Sequence, residues 1–232
     1  MSKPSVGLIL PLQPAVVPPE PLEMYPDIEF VAEGLGLERL TPEGYDRVID
    51  RVAAAAQTLR AKDVDAIMFM GTSLSFYRGA AFNETLTETM QSATDLPVKT
   101  MSTAMVEALH AMGSQRPAIA TAYVDSVNRR LEQFLRDSGF EIASLEALNI
   151  ADVNLVDKVV PADLVDLGAR AFRDDADAIF ISCGGLRTLD ITVPLESRFG
   201  VPVATSATAG AWAAARLSGH TGRAPGFGRL FH

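Results

Sequence analysis

A chain of 232 residues, 48% hydrophobic and 21% charged, has the apolar content for one large core or two smaller ones. Its net charge of −9 and lack of any basic cluster argue against a nucleic-acid partner, though a local group of donors could still hold a small anion. A single cysteine, Cys183, rules out an internal disulfide and any multi-cysteine metal site; His110, His220 and His232 are scattered, so neither metal nor cofactor is expected.

The first apolar run, Val6 to Leu10, reads as a strand closed by Pro11. At about five residues it is too short for a secretory signal, and no run approaches the roughly 18 residues of a membrane span. The expectation is a cytoplasmic monomer with no membrane attachment. A proline-rich loop follows, from Pro11 to Pro26, of a length that is usually functional or disordered. Ile28 to Ala32 reads as a second strand. Thr41-Pro42 opens a helix whose apolar positions Tyr45, Val48, Ile49, Val52 and Leu59 carry it to Ala61. Ala66 to Met70 is a buried strand, followed by "GTSLSFYRG", a helix over Gly79 to Ala93 and a strand over Val98 to Met101. Ser102 caps a helix to Met112, which Gly113 stops.

The second half begins with a strand over Ala118 to Ala122. Asp125 caps a helix with Val127, Leu131, Phe134 and Leu135 inward, ended by Gly139. Phe140 to Leu145 reads as a strand, and Pro161 opens a helix to Phe172. Ala178 to Ile181 is a buried strand that delivers Cys183 and the pair Gly184-Gly185. A helix to Gly200, a strand over Val201 to Thr205 and a helix to Gly219 complete the chain. Strands apolar throughout, alternating with helices, indicate an α/β fold of parallel sheets covered on both faces.

The chain also repeats itself. Val64 to Leu74 ("VDAIMFMGTSL") aligns with Ala176 to Leu186 ("ADAIFISCGGL"), and the same offset places Val6 to Pro11 on Ala118 to Tyr123. "LPVKTMST" from Leu96 matches "VPVATSAT" from Val201. Two pseudo-symmetric halves, residues 1–115 and 116–232, are therefore expected, each a four-stranded parallel sheet flanked by helices. The carboxyl-terminal tail could return to the first half. Ligands in such sheets bind beyond the carboxyl ends of the strands, which places the active site in the cleft between the halves. Gly71 then faces Cys183 as its equivalent, and Pro11 pairs with Tyr123.

These positions carry a family resemblance. The equivalent pair is the plan of the aspartate/glutamate/hydantoin racemase superfamily, whose racemases carry a cysteine at both positions; here one is Gly71. That departure, with "GLGLERLTPEGYD", "MGTSLSFYRGAAFN", "TMSTA", "ATAYVDSVNRRL", "SCGGLRTLD" and "RAPGFGRLF", resembles the arylmalonate decarboxylases of that superfamily over nearly the whole length. The resemblance implies cofactor-independent decarboxylation of an α-aryl malonate, a small dicarboxylate, to an α-aryl acid of one hand. It implies that Thr72, Ser73, Tyr123 and the Cys183–Gly184 backbone hold one carboxylate. The other would lie against Pro11, Leu37, Leu40, Val153 and Val156, with Gly71 on the wall opposite Cys183. Cys183 would protonate the ene-diolate.

Neutral donors aimed into a dry site can carry such a reaction, on the order of 3 kcal/mol for each well-placed one. Cys183 must then be a thiol at rest; burial raises its pKa and nearby N–H groups lower it. Four other readings compete. A racemase or maleate isomerase of the same superfamily would want a second cysteine at Gly71. A serine hydrolase would need a glycine where Ser75 stands. A nucleotide site lacks its glycine fingerprint. A non-catalytic carboxylate binder would need no thiol. Arg78 and Arg187 are read as solvated or structural rather than as carboxylate clamps.

Overall fold

The computed structural model describes residues 3–232. It contains two four-stranded parallel sheets. The first holds β1 (Ser5–Leu10), β2 (Glu29–Gly34), β3 (Ala66–Phe69) and β4 (Val98–Thr100) in the order β2-β1-β3-β4. The second holds β5 (Pro117–Thr121), β6 (Ser144–Ala147), β7 (Ala178–Ser182) and β8 (Val203–Thr205) in the order β6-β5-β7-β8. The orders are the same with β5 in the place of β1, so the internal repeat is a repeat of topology. β3 and β7 are central and wholly buried, which is why their sequences are continuous apolar runs.

The register corrects one equivalence. Val6 lies opposite Ala66, whereas Pro117 lies opposite Ala178, so Val6 corresponds to Pro117 when β3 and β7 are matched. Loop bonds repeat the relation: Leu37 donates to the Pro11 carbonyl, and Ile150 to that of Ala122. Pro11 therefore pairs with Ala122, and Tyr123 stands one residue further on. Self-alignment missed this because both strands are uniformly apolar, and a slip of one residue costs no match. Gly71 and Cys183 keep their equivalence, each one place after the match of Met70 with Ser182.

The helices depart from expectation where tertiary contacts override the local pattern. Inside the proline-rich loop, α1 (Pro19–Met24) forms with proline at its first position. The single helix expected from Pro42 is α2 (Pro42–Asp46), a 3-10 turn (Ile49–Arg51) and α3 (Val52–Arg60). Thr41 caps α2 as expected, accepting from the Gly44 N–H at 3.3 Å. The chain turns after Asp46, whose carboxylate accepts from the Tyr77 hydroxyl at 2.7 Å and Arg78 at 2.6 Å. That bend leaves Tyr45 fully buried.

Between β3 and β4 lie α4 (Thr72–Phe76) and α5 (Ala80–Thr94); α6 (Met101–Ala111) follows β4. The cap of α6 is Thr100, not Ser102: its hydroxyl accepts from the Thr103 N–H at 3.2 Å. Ser102 instead meets the Ser75 hydroxyl at 2.6 Å and donates to the Thr72 carbonyl at 2.9 Å. In α7 (Asp125–Asp137) the expected cap Asp125 is the first helical residue, acting through the helix dipole, and Val124 holds the extended cap position. The strand expected from Phe140 starts later, at Ser144. After Gly139, at φ +91°, Phe140 turns into the core beside His110 before the chain reaches the sheet edge.

α8 (Pro161–Ala171), α9 (Thr192–Phe199) and α10 (Ser206–Leu217) complete the second half. Residues 206–215 of α10 are all buried. This helix packs on α6 and β3 of the first half and on β7 and β8 of the second. Gly210 permits the junction, since a Cβ there would lie 2.8 Å from Met101 and 2.9 Å from Met70. No helix among the described residues is long and apolar enough to cross a membrane.

Candidate active site at the joined strand ends

The carboxyl ends of β3 and β7 present Gly71-Thr72-Ser73 and Cys183-Gly184-Gly185. The first segment turns at once into α4. Ser75 fixes the turn, its hydroxyl 2.9 and 3.0 Å from the Gly71 and Thr72 carbonyls that share its one proton, and Ser102 holds it from α6. The N–H groups of Thr72 and Ser73 have no protein acceptor. Met101 brings the halves together: its sulfur touches the Thr72 hydroxyl at 2.7 Å, and a Cβ on Gly184 would lie 3.1 Å from it. A glycine at 184 therefore lets the second segment press against the first.

Tyr123 closes the group from β5. Its backbone is held by Thr121 (3.2 Å to the N–H) and Asn128 (3.0 Å to the carbonyl). Its hydroxyl lies 3.3 Å from that of Ser182 and beside Thr72, and Phe76 meets its ring edge-on at 5.8 Å. Thr72, Ser73, Tyr123, Cys183 and Gly184 thus share one place. Two further groups join them. Tyr45 sits beside Ser73 and Cys183; its buried hydroxyl makes no hydrogen bond of normal length, and Ser73 is its polar neighbour. Ser182 is the other neighbour of Tyr123.

Neither of these was singled out from sequence. Tyr45 fell on the apolar stripe of an apparently continuous helix, where a tyrosine reads as core. Its hydroxyl was the available signal, because a buried phenol needs a partner. Ser182 was hidden in an apolar strand, its alternation masked by neighbours buried on both faces.

The apolar positions are brought together by a contact between loops of the two halves. Leu37 donates to the Pro11 carbonyl at 2.7 Å, and Leu40 to that of Ala151 at 2.9 Å. Arg39 and Asp152 form an antiparallel bridge, and the Val153 N–H reaches the Glu38 carbonyl at 3.4 Å. Leu37, Leu40 and Val156 are buried; Pro11 and Val153 are half-buried. Val156 lies on a 3-10 turn (Val153–Lys158) with Cγ1 3.1 Å from where a Gly185 Cβ would stand. The apolar group therefore abuts the cysteine loop.

Electrostatically the place is dry and near neutral. Burial pushes the Cys183 thiol up to about 11, outweighing the nearby Gly185 and Leu186 N–H groups, which lower it. At neutral pH it holds its proton. Burial likewise raises Tyr45 and Tyr123, so both phenols remain donors. Arg78 is spent at the surface on Asp46 and over the Tyr77 and Phe82 rings, and Arg187 is exposed. Gly71 is buried; a Cβ there would lie 3.0 Å from the Phe69 ring and 3.1 Å from Leu74. The open grooves around Leu148–Arg170 and around His110–Glu141 share none of these residues. The arrangement offers buried neutral hydroxyls, a protonated thiol among them and an apolar group against the cysteine loop.

Comparison with known proteins agrees on one lineage. The family model described as arylmalonate decarboxylase matches residues 6–231. An arylmalonate decarboxylase from Bordetella bronchiseptica is 48% identical over 99% of this chain and 97% of its own. A solved structure of a doubly substituted arylmalonate decarboxylase in liganded form superposes with a TM-score of 0.96 at 48% identity, covering 98% of each chain. A maleate isomerase from Nocardia farcinica is 29% identical over 97% of this chain and 94% of its own.

Proposed function

The chain belongs to the arylmalonate decarboxylase family, and we propose from that premise that it releases carbon dioxide from an α-aryl malonate without a cofactor. The single observation that carries the reading is the gathering of the buried Cys183 thiol, whose pKa burial raises, with the Thr72, Ser73 and Tyr123 hydroxyls at the joined strand ends. A thiolate could not deliver a proton.

In this reading the retained carboxylate accepts from the Thr72, Ser73 and Tyr123 hydroxyls and from the N–H groups of Thr72, Ser73 and Gly184. The second carboxylate lies against Pro11, Leu37, Leu40, Val153 and Val156. An apolar wall solvates a departing neutral molecule better than a charge. The bond from Cα to that carboxylate breaks, carbon dioxide leaves, and the electron pair passes into the retained carboxylate as an ene-diolate. Donors fixed before reaction stabilise that charge without reorganisation. Cys183 then transfers its proton to Cα. The Gly185 and Leu186 N–H groups face the thiolate so formed, which regains a proton from water after product leaves. With Gly71 opposite, no second acid stands on the other face, so one hand of product forms.

The similarity to maleate isomerase keeps a second reading: two-sided chemistry on an unsaturated or chiral acid. It is disfavoured by Gly71, which carries no acid. Incubation with phenylmalonate separates the readings. A decarboxylase releases carbon dioxide stoichiometrically with phenylacetate. A racemase exchanges the α-proton of a chiral acid instead, and a binder does neither. No carbon dioxide above the uncatalysed rate, from a folded protein, would overturn the proposal.

A further inference from the structure

One buried charged group stands outside this chemistry. Glu20, in the first turn of α1, is 1% exposed, and its carboxylate reaches across the molecule to the loop that follows Cys183. Oε1 accepts from the Thr188 N–H at 3.2 Å and the Thr188 hydroxyl at 3.0 Å. A hydroxyl has one proton, so the Thr188 oxygen accepts in turn from Thr205, 2.9 Å away. Thr205 caps α10 and accepts from the Thr208 N–H at 3.1 Å. The carboxylate thus ends a directed chain of hydroxyls anchored on the helix that joins the halves.

The loop needs such an anchor. Its own backbone gives two long turn bonds, Leu186 to Cys183 at 3.3 Å and Ile191 to Thr188 at 3.4 Å. Thr188 begins the second turn, two residues beyond Leu186, whose N–H lies close enough to Cys183 to lower the thiol pKa. Gly184 and Gly185 supply no side-chain packing to stiffen the stretch. From this geometry we propose that Glu20 is a positioning residue: it pins the loop through Thr188 and so fixes where the Cys183 thiol and the Gly184 N–H stand. Placing a carboxylate in the core is costly unless it is hydrogen-bonded, and both side-chain bonds that Glu20 Oε1 accepts come from this loop. The carboxyl pKa is raised, burial outweighing the bonds from its own N–H and from Thr188 that lower it. Removing the carboxylate releases the loop locally.

The test uses the lone cysteine as reporter. Iodoacetamide can label only Cys183, which is 6% exposed and so reacts through opening of its surroundings. Glu20→Ala is expected to speed labelling by at least about tenfold, the factor carried by one hydrogen bond to a charged group. The acceleration should persist with a shallow urea dependence, the mark of local rather than global opening. Glu20→Gln, which retains an acceptor oxygen, should label within about threefold of the wild type. Thr188→Val supplies the same test if Glu20→Ala does not fold. The activity arm rests on the decarboxylase reading: Glu20→Ala should lose about 100-fold in kcat with KM nearly unchanged, since misplacement of about 1 Å has that effect, and Gln should restore most of it. Unchanged labelling, or faster labelling with the steep urea dependence of global unfolding, would overturn the proposal. A wild type without decarboxylase activity would overturn the functional reading while the labelling arm still decides this one.

Discussion

Tyr45→Phe sets stability against function at one atom. The Tyr45 hydroxyl is buried and makes no hydrogen bond of normal length, with Ser73 as its polar neighbour, and a group so poorly bonded costs the folded protein about 1 kcal/mol or more in lost hydration. Phenylalanine removes that oxygen and keeps the ring, which meets Tyr77 edge-on at 5.2 Å. The ligand-free variant should therefore be more stable by about 1 kcal/mol or more, which is roughly 2–4 °C in Tm for a protein of this size. In turnover the sign reverses. Beside Ser73 and Cys183 the hydroxyl is placed to donate to the charge that develops on the retained carboxylate. Loss of one such donor costs about 100-fold in kcat/KM. Calorimetry and phenylmalonate turnover on the same preparation give both numbers. A variant that melts lower than the wild type and turns over normally would refute the reasoning, because the hydroxyl would then be satisfied within the fold.

Gly71→Cys should add a thiol opposite Cys183 and confer α-proton exchange on a chiral α-aryl acid, read by deuterium incorporation and loss of optical rotation. Its Cβ must displace the Phe69 ring and Leu74 slightly, so about 1–2 kcal/mol of stability should be lost. The thiol also predicts an alkaline signature. An ordinary cysteine ionises near about 8.5, whereas burial pushes Cys183 up to about 11. A raised folded value means stability that is full below the unfolded pKa and lost as pH rises through the folded one. Denaturant unfolding should therefore show the wild type losing about 2–3 kcal/mol more than Cys183→Ser between roughly pH 8.5 and 11. Parallel pH curves for the two proteins would contradict it.

Much of this fold was legible because its information is local. β3 and β7 announce themselves as apolar runs, and their repeat revealed the two-sheet plan before any coordinate was known. The converging residues were legible for a related reason: ligands sit beyond strand ends, and the residues after Met70 and Ser182 are glycine, hydroxyl and thiol. What was not legible is long-range. The bend after Asp46 is held by Tyr77 and Arg78, over 30 residues on, and Tyr45, just before it, lies beside Ser73 and Cys183. Ser102 resembles a helix cap in isolation and serves Ser75 instead. Glu20 lies in a stretch that reads as loop, and its partner is 168 residues away. The pairing of Pro11 with Ala122 required hydrogen bonds, since uniformly apolar strands conceal a shift of one residue.

The central claim is that the Cys183 thiol delivers the proton. Cys183→Ser keeps size and position but replaces a proton near pKa 11 with one far less acidic. Its turnover of phenylmalonate, measured on protein shown by circular dichroism to be folded, is the most direct test. The account predicts a loss of at least about 100-fold in kcat, the scale of general acid catalysis. Near-wild-type decarboxylation by the folded serine variant would contradict it.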